Sequence, residues 1–443
     1  MEVLAAKLAD LIWGPWTIGL LVALGLLTTF ATRAIQFRRF GHALHLLKQG
    51  ALRRDLSSAE PGDITPFQAL TTAMAATIGN GNIAGVATAI AIGGPGAAFW
   101  MAAIAPLGMA TKFSEVFLAV KYRRRNPDGS ILGGPMVYLA DAAGRKNLAL
   151  IFAFCACFGA IGAGNLAQAN SISLVLFTEF HIPTWLSGLL LTGLVAAVIL
   201  GGIKRIGSVA ERLVPSMVAL YLTLVIVILM INARAVPAAL ASIVSSAFTP
   251  VSAVGGFTGA TVARAIEYGI RRGVISSESG VGSAGFAHSA AMTTSPVRQG
   301  TIAMIGVFID TVIVCTATAL VVVVTGVWSN GELSTAMVAS AFNADIPFGG
   351  LAVALCSMMF GFTSLVAWAY YGEQALRYFL GGVSIGAWYR IGWCALTFVG
   401  SIYGVKLIWD VSDFLIGLML IPNVIGLIFL IREVRSGVAS DQS

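Results

Sequence analysis

The residues best suited to bind a small polar ligand lie in one short run, Thr77-Ile78-Gly79-Asn80-Gly81-Asn82-Ile83-Ala84-Gly85. Glycines and asparagines at this density do not sustain a continuous helix in lipid. Backbone groups that lose their helical partners at membrane depth persist only where they line a protein cavity. Free amides, free carbonyls and two half-helix ends are groups that hold a small zwitterion and its coupling cation in many transporters. Close helix packing at small residues is the alternative, but it leaves the asparagines unexplained.

Within this run the candidate roles divide between a substrate and a cation. We expect the backbone of Gly79 and Gly81 to contact a substrate carboxylate, with Asn80 or Asn82 supplying a side-chain amide. Thr77 and Ile83 are the candidates for the cation. A purely structural role for the two asparagines is the alternative.

A second glycine-rich run is predicted to face the first. It contains Gly255, Gly256, Phe257, Gly259 and Thr261. Its small residues leave room for a ligand the size of alanine, and helix packing is again the alternative.

Other polar side chains lie within predicted spans. Asn165, Gln168 and Asn170 carry amides that are costly in lipid without a partner, so each is an interhelical hydrogen bond or a substrate contact. The adjacent hydroxyls of Thr363 and Ser364 suit sodium, a hard cation that takes oxygen ligands. They can instead bond back to their own helix.

Two further residues complete the candidate site. Trp368, one turn beyond Ser364, either walls the pocket or belongs to the core. Asp310 falls near the membrane midplane, where an ionisable group is functional by default and needs a partner. It is either a proton or cation relay or a structural pair with Lys112 or Arg264.

The amino-acid composition indicates the class of protein that contains these residues. The chain has 443 residues, of which 57% are hydrophobic and 11% charged, and a mean hydropathy of +0.87, so we expect an all-α polytopic membrane protein. The five cysteines lie in apolar segments and the four histidines lack metal-ligand spacing. No cluster of His, Asp or Glu at a membrane face suggests an enzyme, and nothing suggests a channel filter. We predict no nucleic-acid partner.

Apolar runs of roughly 18 residues or more predict about eleven transmembrane helices. They lie near residues 16–37, 67–92, 96–120, 148–177, 184–203, 212–232, 250–272, 300–327, 347–380, 387–406 and 412–432. Of the 27 lysines and arginines, only Lys7, Arg234 and Lys406 fall outside the cell if the N-terminus is external, and Lys112 and Arg264 fall within spans. The bias predicts an external N-terminus and a cytoplasmic C-terminus.

The order of the predicted transmembrane helices also suggests internal symmetry. Residues 1–66 hold one extra helix and an amphipathic segment on the inner surface, 67–232 a first group of five helices, and 250–432 a second group with inverted topology. Residues 433–443 are expected to form a disordered cytoplasmic tail. The two glycine-rich runs then open the two halves, and interrupted helices at matching positions point to a transporter's binding site.

Several motifs resemble the alanine or glycine:cation symporter family. They include Gly93-Gly94-Pro95-Gly96-Ala97-Ala98-Phe99-Trp100-Met101, Gly164-Asn165-Leu166-Ala167-Gln168-Ala169-Asn170-Ser171, Gly256-Phe257-Thr258-Gly259-Ala260-Thr261-Val262 and Gly306-Val307-Phe308-Ile309-Asp310-Thr311. The chain departs from the family pattern at Asn80, where Thr is usual, and at Ser276-Ser277-Glu278-Ser279-Gly280, interpreted as part of a cytoplasmic loop.

The resemblance implies a leucine-transporter-type fold of five plus five helices in an inverted repeat, preceded by one helix. It also implies sodium-coupled symport of alanine or glycine into the cell across a prokaryotic inner membrane, with Na+ as coupling ion. Gln168 and Asn170 become substrate contacts, and Thr363 with Ser364 becomes a sodium site. The rival hypothesis is proton coupling through Asp310, and a membrane enzyme is a remote alternative. The sequence leaves the oligomeric state open.

Overall fold

A computed structural model describes residues 2–52, 61–126, 128–252, 257–381, 385–403 and 406–441. The N-terminal half contains helices α1 (Glu2–Ile12), α2 (Pro15–Ala31), α3 (Ile35–Arg38), α4 (Phe40–Leu52), α5 (Pro66–Thr77), α6 (Ala84–Gly93), α7 (Gly96–Lys121), α8 (Pro135–Asp141), α9 (Lys146–Gly159), α10 (Ala167–Phe180), α11 (Thr184–Ile199) and α12 (Gly202–Ile231). Short antiparallel strands β1 (Arg124–Arg125) and β2 (Ile131–Leu132) precede α8.

The C-terminal half is also helical. It contains α13 (Val236–Ser246), α14 (Val262–Ser277), α15 (Ala284–Ser289), α16 (Pro296–Val307), α17 (Thr316–Val324), α18 (Ser334–Asn343), α19 (Gly349–Phe379), α20 (Gly386–Ile402) and α21 (Lys406–Ser440). Two π-helical segments, Ala160–Leu166 and Phe308–Cys315, join α9 to α10 and α16 to α17. Such segments often mark functional positions, and they contain Asn165 and Asp310.

The prediction of an all-α polytopic membrane protein is confirmed. Among the described residues, seven helices are long and apolar enough to cross a membrane: Lys7–Ala31, Gly96–Lys121, Lys146–Phe180, Gly202–Ile231, Pro296–Val324, Gly349–Phe379 and Val411–Ser440. An eighth span is possible if Pro66–Thr77 and Asn80–Gly93, bent by 59° at their junction, act as one. Helices α11 and α20, of 16 and 17 residues, are shorter. The count of eleven and the inverted repeat stay predictions.

The predicted span at 250–272 is wrong in its first half. Val251 and Ala260 form an antiparallel bridge, and Gly259 adopts φ +87°, which is incompatible with a helix. Helix α14 begins only at Val262, because the Thr261 hydroxyl accepts the backbone N–H of Arg264 and caps the helix there. Gly255 and Gly256 lie outside the described residues.

The expected disordered tail at 433–443 is also wrong through Ser440. Helix α21 continues to that residue, with Val434 and Val438 buried one turn apart. Glu433 pairs with Lys121 at 2.6 Å, and Gly437 leaves room for the Phe117 ring. The tail therefore packs on the end of α7, because its apolar residues recur at helical spacing.

Candidate functional site

The first glycine-rich run breaks the chain between α5 and α6. Helix α5 starts at a capping box, in which the Thr65 hydroxyl accepts the Gln68 N–H and the Gln68 side chain accepts the Thr65 N–H. The backbone of Ile78 leaves the helical region with ψ 88°, and Gly79 is extended. A single 3-10 turn, Asn80–Asn82, then leads into α6.

Asn80 links this break to two other helices. Its Nδ2 donates to Gln168 Oε1 of α10 at 3.1 Å, and its Oδ1 accepts the Ser357 hydroxyl of α19 at 2.6 Å. Gln168 Nε2 in turn donates to the Ala163 carbonyl. All three linked side chains are buried, so two of the residues proposed from the sequence for the substrate, Asn80 and Gln168, lie together.

Asn82 links the break to Asp310. Its Oδ1 accepts the Gly79 N–H at 2.9 Å, while its Nδ2 donates to Asp310 Oδ1 at 2.7 Å and to Ser276 Oγ at 3.1 Å. Asp310 also accepts the hydroxyls of Ser276 and Thr311. The break is thereby fixed to the end of α14 and to the π-helical segment after α16.

A structural pair of Asp310 with Lys112 or Arg264, one of the two alternatives that the sequence leaves open, is not formed. Lys112 Nζ instead donates to the Glu278 carbonyl at 3.2 Å, and Arg264 is exposed at the start of α14. Within the described ranges, no ion pair of up to 4.0 Å involves Asp310.

Backbone oxygens at the end of α5 face the Ser364 hydroxyl of α19. Ser364 Oγ lies 3.1 Å from the Ala75 carbonyl oxygen and 3.5 Å from that of Ala76. The neighbouring Thr363 hydroxyl donates to the Phe360 carbonyl at 3.0 Å. The Ser364 hydroxyl and two carbonyls thus meet where a half-helix presents its negative end, which suits a hard monovalent cation, while the Thr363 hydroxyl also faces Met217 of α12.

Gly79 is required for this approach. A Cβ on Gly79 would stand 2.6 Å from Ser364 Oγ, which is closer than real Cβ contacts allow. The glycine therefore lets α19 approach the break closely enough for Ser364 to reach the α5 carbonyls.

The residues predicted for the cation in the first run lie elsewhere. The Thr77 hydroxyl donates to the Met74 carbonyl of its own helix, and its side chain faces a small cavity that also borders Lys112 and His288. The Ile83 carbonyl accepts the Ala87 N–H and so belongs to α6. The carbonyl partners of Ser364 are instead those of Ala75 and Ala76.

A second break separates α14 from α15. Glu278 adopts φ +52°, and Gly280 and Gly282 adopt φ +90° and +87°. Gly282 also approaches Pro135 so closely that a Cβ would lie 2.4 Å from its ring. The interruption of the second half thus falls at residues 278–283, in the segment that the sequence suggests is a cytoplasmic loop, and not in the run ending at Thr261.

Trp368 lies beside this second break. Its ring lies near the Glu278 carboxylate and packs against Gly164 and, at 5.4 Å between centroids, against Tyr371. The Ser283 hydroxyl donates to the same carboxylate. Trp368 therefore forms a wall between the π-helical segment before α10 and the second break.

Three predicted site residues are not brought to the break. Phe257 packs against Trp328 and next to Gly94, at the far end of α6, which is about 16 Å from the break for a helix of this length. Gly259 belongs to the same loop. Asn170 donates to the Tyr403 carbonyl after α20, so it is an interhelical contact.

Sequence reasoning did not assign a role to five residues that lie at the two breaks. The alanines Ala75 and Ala76 act through carbonyls, which carry no side-chain signal, and Ser357 lies in an unremarkable apolar run. Ser276 and Glu278 had a signal in the glycines that follow them.

A cavity leads toward the break from α18. It has a volume of about 450 Å³ and is bordered by α10, α18 and α19, and its lining includes Ser357, which contacts Asn80 of the break. Within the break, Gly81 is exposed and nothing lies within 4 Å of the position its Cβ would take. The break is thus closed by packing on most sides and open at Gly81.

The chain has the fold of a solved membrane transporter. A manganese transporter from Eremococcus coleocola has the same fold, with a TM-score of 0.53 at 15% identity over 85% of this chain and 81% of that one. The family model of the sodium:alanine symporter family matches residues 1–440.

Named relatives agree with that match. The sodium/alanine symporter AgcS of Methanococcus maripaludis is 41% identical over 95% of this chain and 92% of its own length. A probable sodium/glutamine symporter of Bacillus subtilis, GlnT, is 35% identical over 96% and 87%. The chain belongs to the sodium:alanine symporter family.

Proposed function

We propose that the protein is a secondary active transporter that couples the entry of a small neutral amino acid, alanine or glycine, to sodium by alternating access. The observation that carries this proposal is the approach of Ser364 to the carbonyl oxygens of Ala75 and Ala76 at the broken helix. These three oxygen atoms are the first ligands of one sodium ion, and the Thr363 hydroxyl beside Ser364 on α19 is the next candidate. Family membership supports the same assignment.

The substrate in this proposal binds beside the sodium, at Gly79–Asn82. Its carboxylate meets the amides at the start of α6, where a helix N-terminus favours negative charge. Asn80 and Gln168 contribute neutral amides, so the ligand carries its own charges and needs no fixed countercharge. Gly81 leaves space for a small side chain, and Trp368 limits the pocket on the side of α10.

The proposed site lies between two groups of helices, and their relative movement would give alternating access. The break belongs to α5 and α6, whereas Gln168, Ser357 and Ser364 belong to α10 and α19. Substrate and sodium bound between these two groups of helices stabilise their approach, and release requires the groups to separate. The cavity beside α18 is then the external route, with the N-terminus outside and the C-terminus in the cytoplasm of a prokaryotic inner membrane.

Orientation is testable by cysteine labelling. We expect Asn330→Cys to react with a membrane-impermeant maleimide in intact cells, and Ala439→Cys to react only after permeabilisation, since both positions are exposed. Labelling in the reverse order would contradict the orientation.

The coupling ion and substrate are tested by binding to the purified protein in nanodiscs. We expect labelled alanine to bind in sodium chloride and not in choline chloride at equal ionic strength, and unlabelled glycine to compete better than glutamine. Sodium-independent binding that strengthens on acidification would favour proton coupling through Asp310. Better competition by glutamine would overturn the substrate assignment.

A further inference from the structure

A cleft lies where the start of α9 meets α21. It has a volume of about 440 Å³ and is lined by residues 144–148 and by Ile425 and Phe429 of α21. Gly144 adopts φ +66° in the turn before α9, and no atom lies within 4 Å of the position its Cβ would take. Lys146 is the first residue of the apolar helix Lys146–Phe180, so the cleft lies at the level where that helix enters the membrane.

Basic side chains gather at this cleft. Arg145 and Lys146 line it, and the Arg145 guanidinium lies over the Phe429 ring, 5.0 Å from its centroid. Arg432 follows Phe429 by three residues and so shares its face of α21. All three basic residues are exposed, and within the described ranges none of them forms an ion pair of up to 4.0 Å.

The acidic side chains near the cleft are paired with other groups. Asp141 at the end of α8 pairs with Arg124, and Glu433, next to Arg432 in the chain, pairs with Lys121 at 2.6 Å. The protein therefore does not neutralise the basic groups of the cleft. An anion is the ligand that complements them.

An apolar surface continues from the cleft along α9. Ile151, Phe154 and Phe158 are exposed and follow Asn147 of the cleft at intervals of three and four residues, so they share its face of the helix. Phe429 on α21 is exposed as well. A ligand at this cleft thus meets positive charge at the membrane surface and apolar side chains on the hydrocarbon side.

We propose that the cleft binds one anionic phospholipid, whose phosphate lies between Arg145 and Lys146 and whose acyl chains follow the exposed face of α9. A guanidinium suits a phosphate, and basic pockets between membrane-spanning helices are suited to anionic lipid headgroups. Arg432 beside the cleft disfavours a zwitterionic lipid, because the cationic end of its headgroup would be repelled there. In the proposed orientation the lipid belongs to the cytoplasmic leaflet.

The bound lipid contacts two helices that are far apart in sequence. It joins the start of α9 to α21 through the residues that line the cleft. A ligand that binds the folded protein and not the unfolded chain stabilises the fold. We therefore expect an anionic phospholipid to raise Tm as well as to bind.

Lipid binding to the purified full-length protein tests the site. Equal amounts of dioleoylphosphatidylglycerol and dioleoylphosphatidylcholine are added in detergent, and bound lipids are counted by native mass spectrometry. We expect the wild type to retain one phosphatidylglycerol in preference to phosphatidylcholine, and to gain Tm from the former alone. Equal retention of the two lipids would overturn the proposal.

A pair of double variants places the lipid on the chain. For Arg145→Gln with Lys146→Gln we expect phosphatidylglycerol to bind at least about tenfold more weakly, because each basic residue at a membrane surface contributes a factor of about five. The control changes Lys204 and Arg205 to Gln. These residues are also adjacent, basic and exposed, at the start of the spanning helix α12, but they do not line this cleft. Equal losses in the two double variants would assign the binding to overall charge and overturn the site.

A soluble headgroup distinguishes a lipid site from a site for a free phosphate compound. We expect glycerophosphoglycerol, which lacks acyl chains, to leave bound phosphatidylglycerol in place at equal concentration, since it makes no contact with the apolar face of α9. Displacement at equal concentration would overturn the lipid assignment. The binding measurements involve no transport, so their outcome is independent of the proposed function.

Discussion

Ser364 of α19 donates its hydroxyl hydrogen to the carbonyl oxygen of Ala75, at 3.1 Å, in the last turn of α5. The two residues are far apart in sequence and belong to different groups of helices. Their contact joins the broken helix to its surroundings at the point where backbone oxygens are free, and it is the centre of the proposed sodium site.

Removing this hydroxyl should weaken sodium binding. For Ser364→Ala we expect the half-saturating sodium concentration for alanine uptake to rise at least about tenfold, because contacts to a charged partner contribute about 1.5 kcal/mol or more. The control Ser401→Ala removes a buried hydroxyl that bonds only to its own helix, at the Thr397 carbonyl. Similar sodium affinities in Ser364→Ala and Ser401→Ala would exclude Ser364 from the site.

Gly81 marks the space for the substrate. A methyl group added by Gly81→Ala meets no protein atom within 4 Å, so we expect normal folding but a KM for alanine raised at least about fivefold, the effect of overfilling an occupied space. Gly193→Ala on α11 also adds a methyl group in open space and should leave uptake unchanged. An unaltered KM in Gly81→Ala would place the substrate elsewhere.

The Asn80–Gln168 hydrogen bond should appear as energetic coupling. We expect Asn80→Ala and Gln168→Ala each to lower alanine affinity, and the double variant to lower it by less than the sum, with a coupling energy of about 1 kcal/mol. Asn165→Ala is the contrast on the neighbouring turn, because Asn165 bonds to Trp393 and Thr397 of α20 and should affect stability more than affinity. Additive effects of the two substitutions on alanine affinity would show that the Asn80–Gln168 hydrogen bond does not shape the pocket.

The sequence predicts the first break well and the second poorly. Glycine and asparagine at 79–82 can hardly be explained as a continuous helix, and the chain is bent there by 59°. The second break involves Glu278, Gly280 and Gly282, and its helix α14 carries Arg271 and Arg272, so the segment lacks the apolar run of a typical span. The denser glycines at 255–259 misled the prediction, because composition does not distinguish a loop from a broken helix.

The direction in which side chains point from a helix also limited the prediction of the site. Gln168 and Asn170 are two residues apart on one helix and therefore face different sides. The sequence favours both equally, but only Gln168 reaches the break, while Asn170 faces α20. Backbone ligands such as the Ala75 carbonyl depend on tertiary approach and leave no trace in residue type.

One ionisable group outside the membrane spans should make stability depend on pH. The Ser130 hydroxyl, together with Arg377, holds the pKa of the Asp128 carboxyl below its usual value. Because the pKa is lowered by folding, this stabilisation is complete above the unfolded value of about 4 and is lost as the pH falls through the folded pKa. We expect Asp128→Asn to lower Tm slightly at neutral pH, as for an exposed ion pair.

Thermal unfolding in detergent across the acidic range measures this effect. The Tm difference between wild type and Asp128→Asn should stay constant down to about pH 4 and disappear below it. A difference that persists or grows in acid would assign the destabilisation to lost packing.

The most direct test of the proposed function is uptake of labelled alanine into proteoliposomes under an inward sodium gradient at constant pH. We expect accumulation against the alanine gradient, abolished when the sodium gradient is collapsed, and weakened in Ser364→Ala at limiting sodium. Accumulation that ignores sodium and follows an imposed proton gradient would contradict the assignment of the Ser364–Ala75 contact to a coupling sodium site.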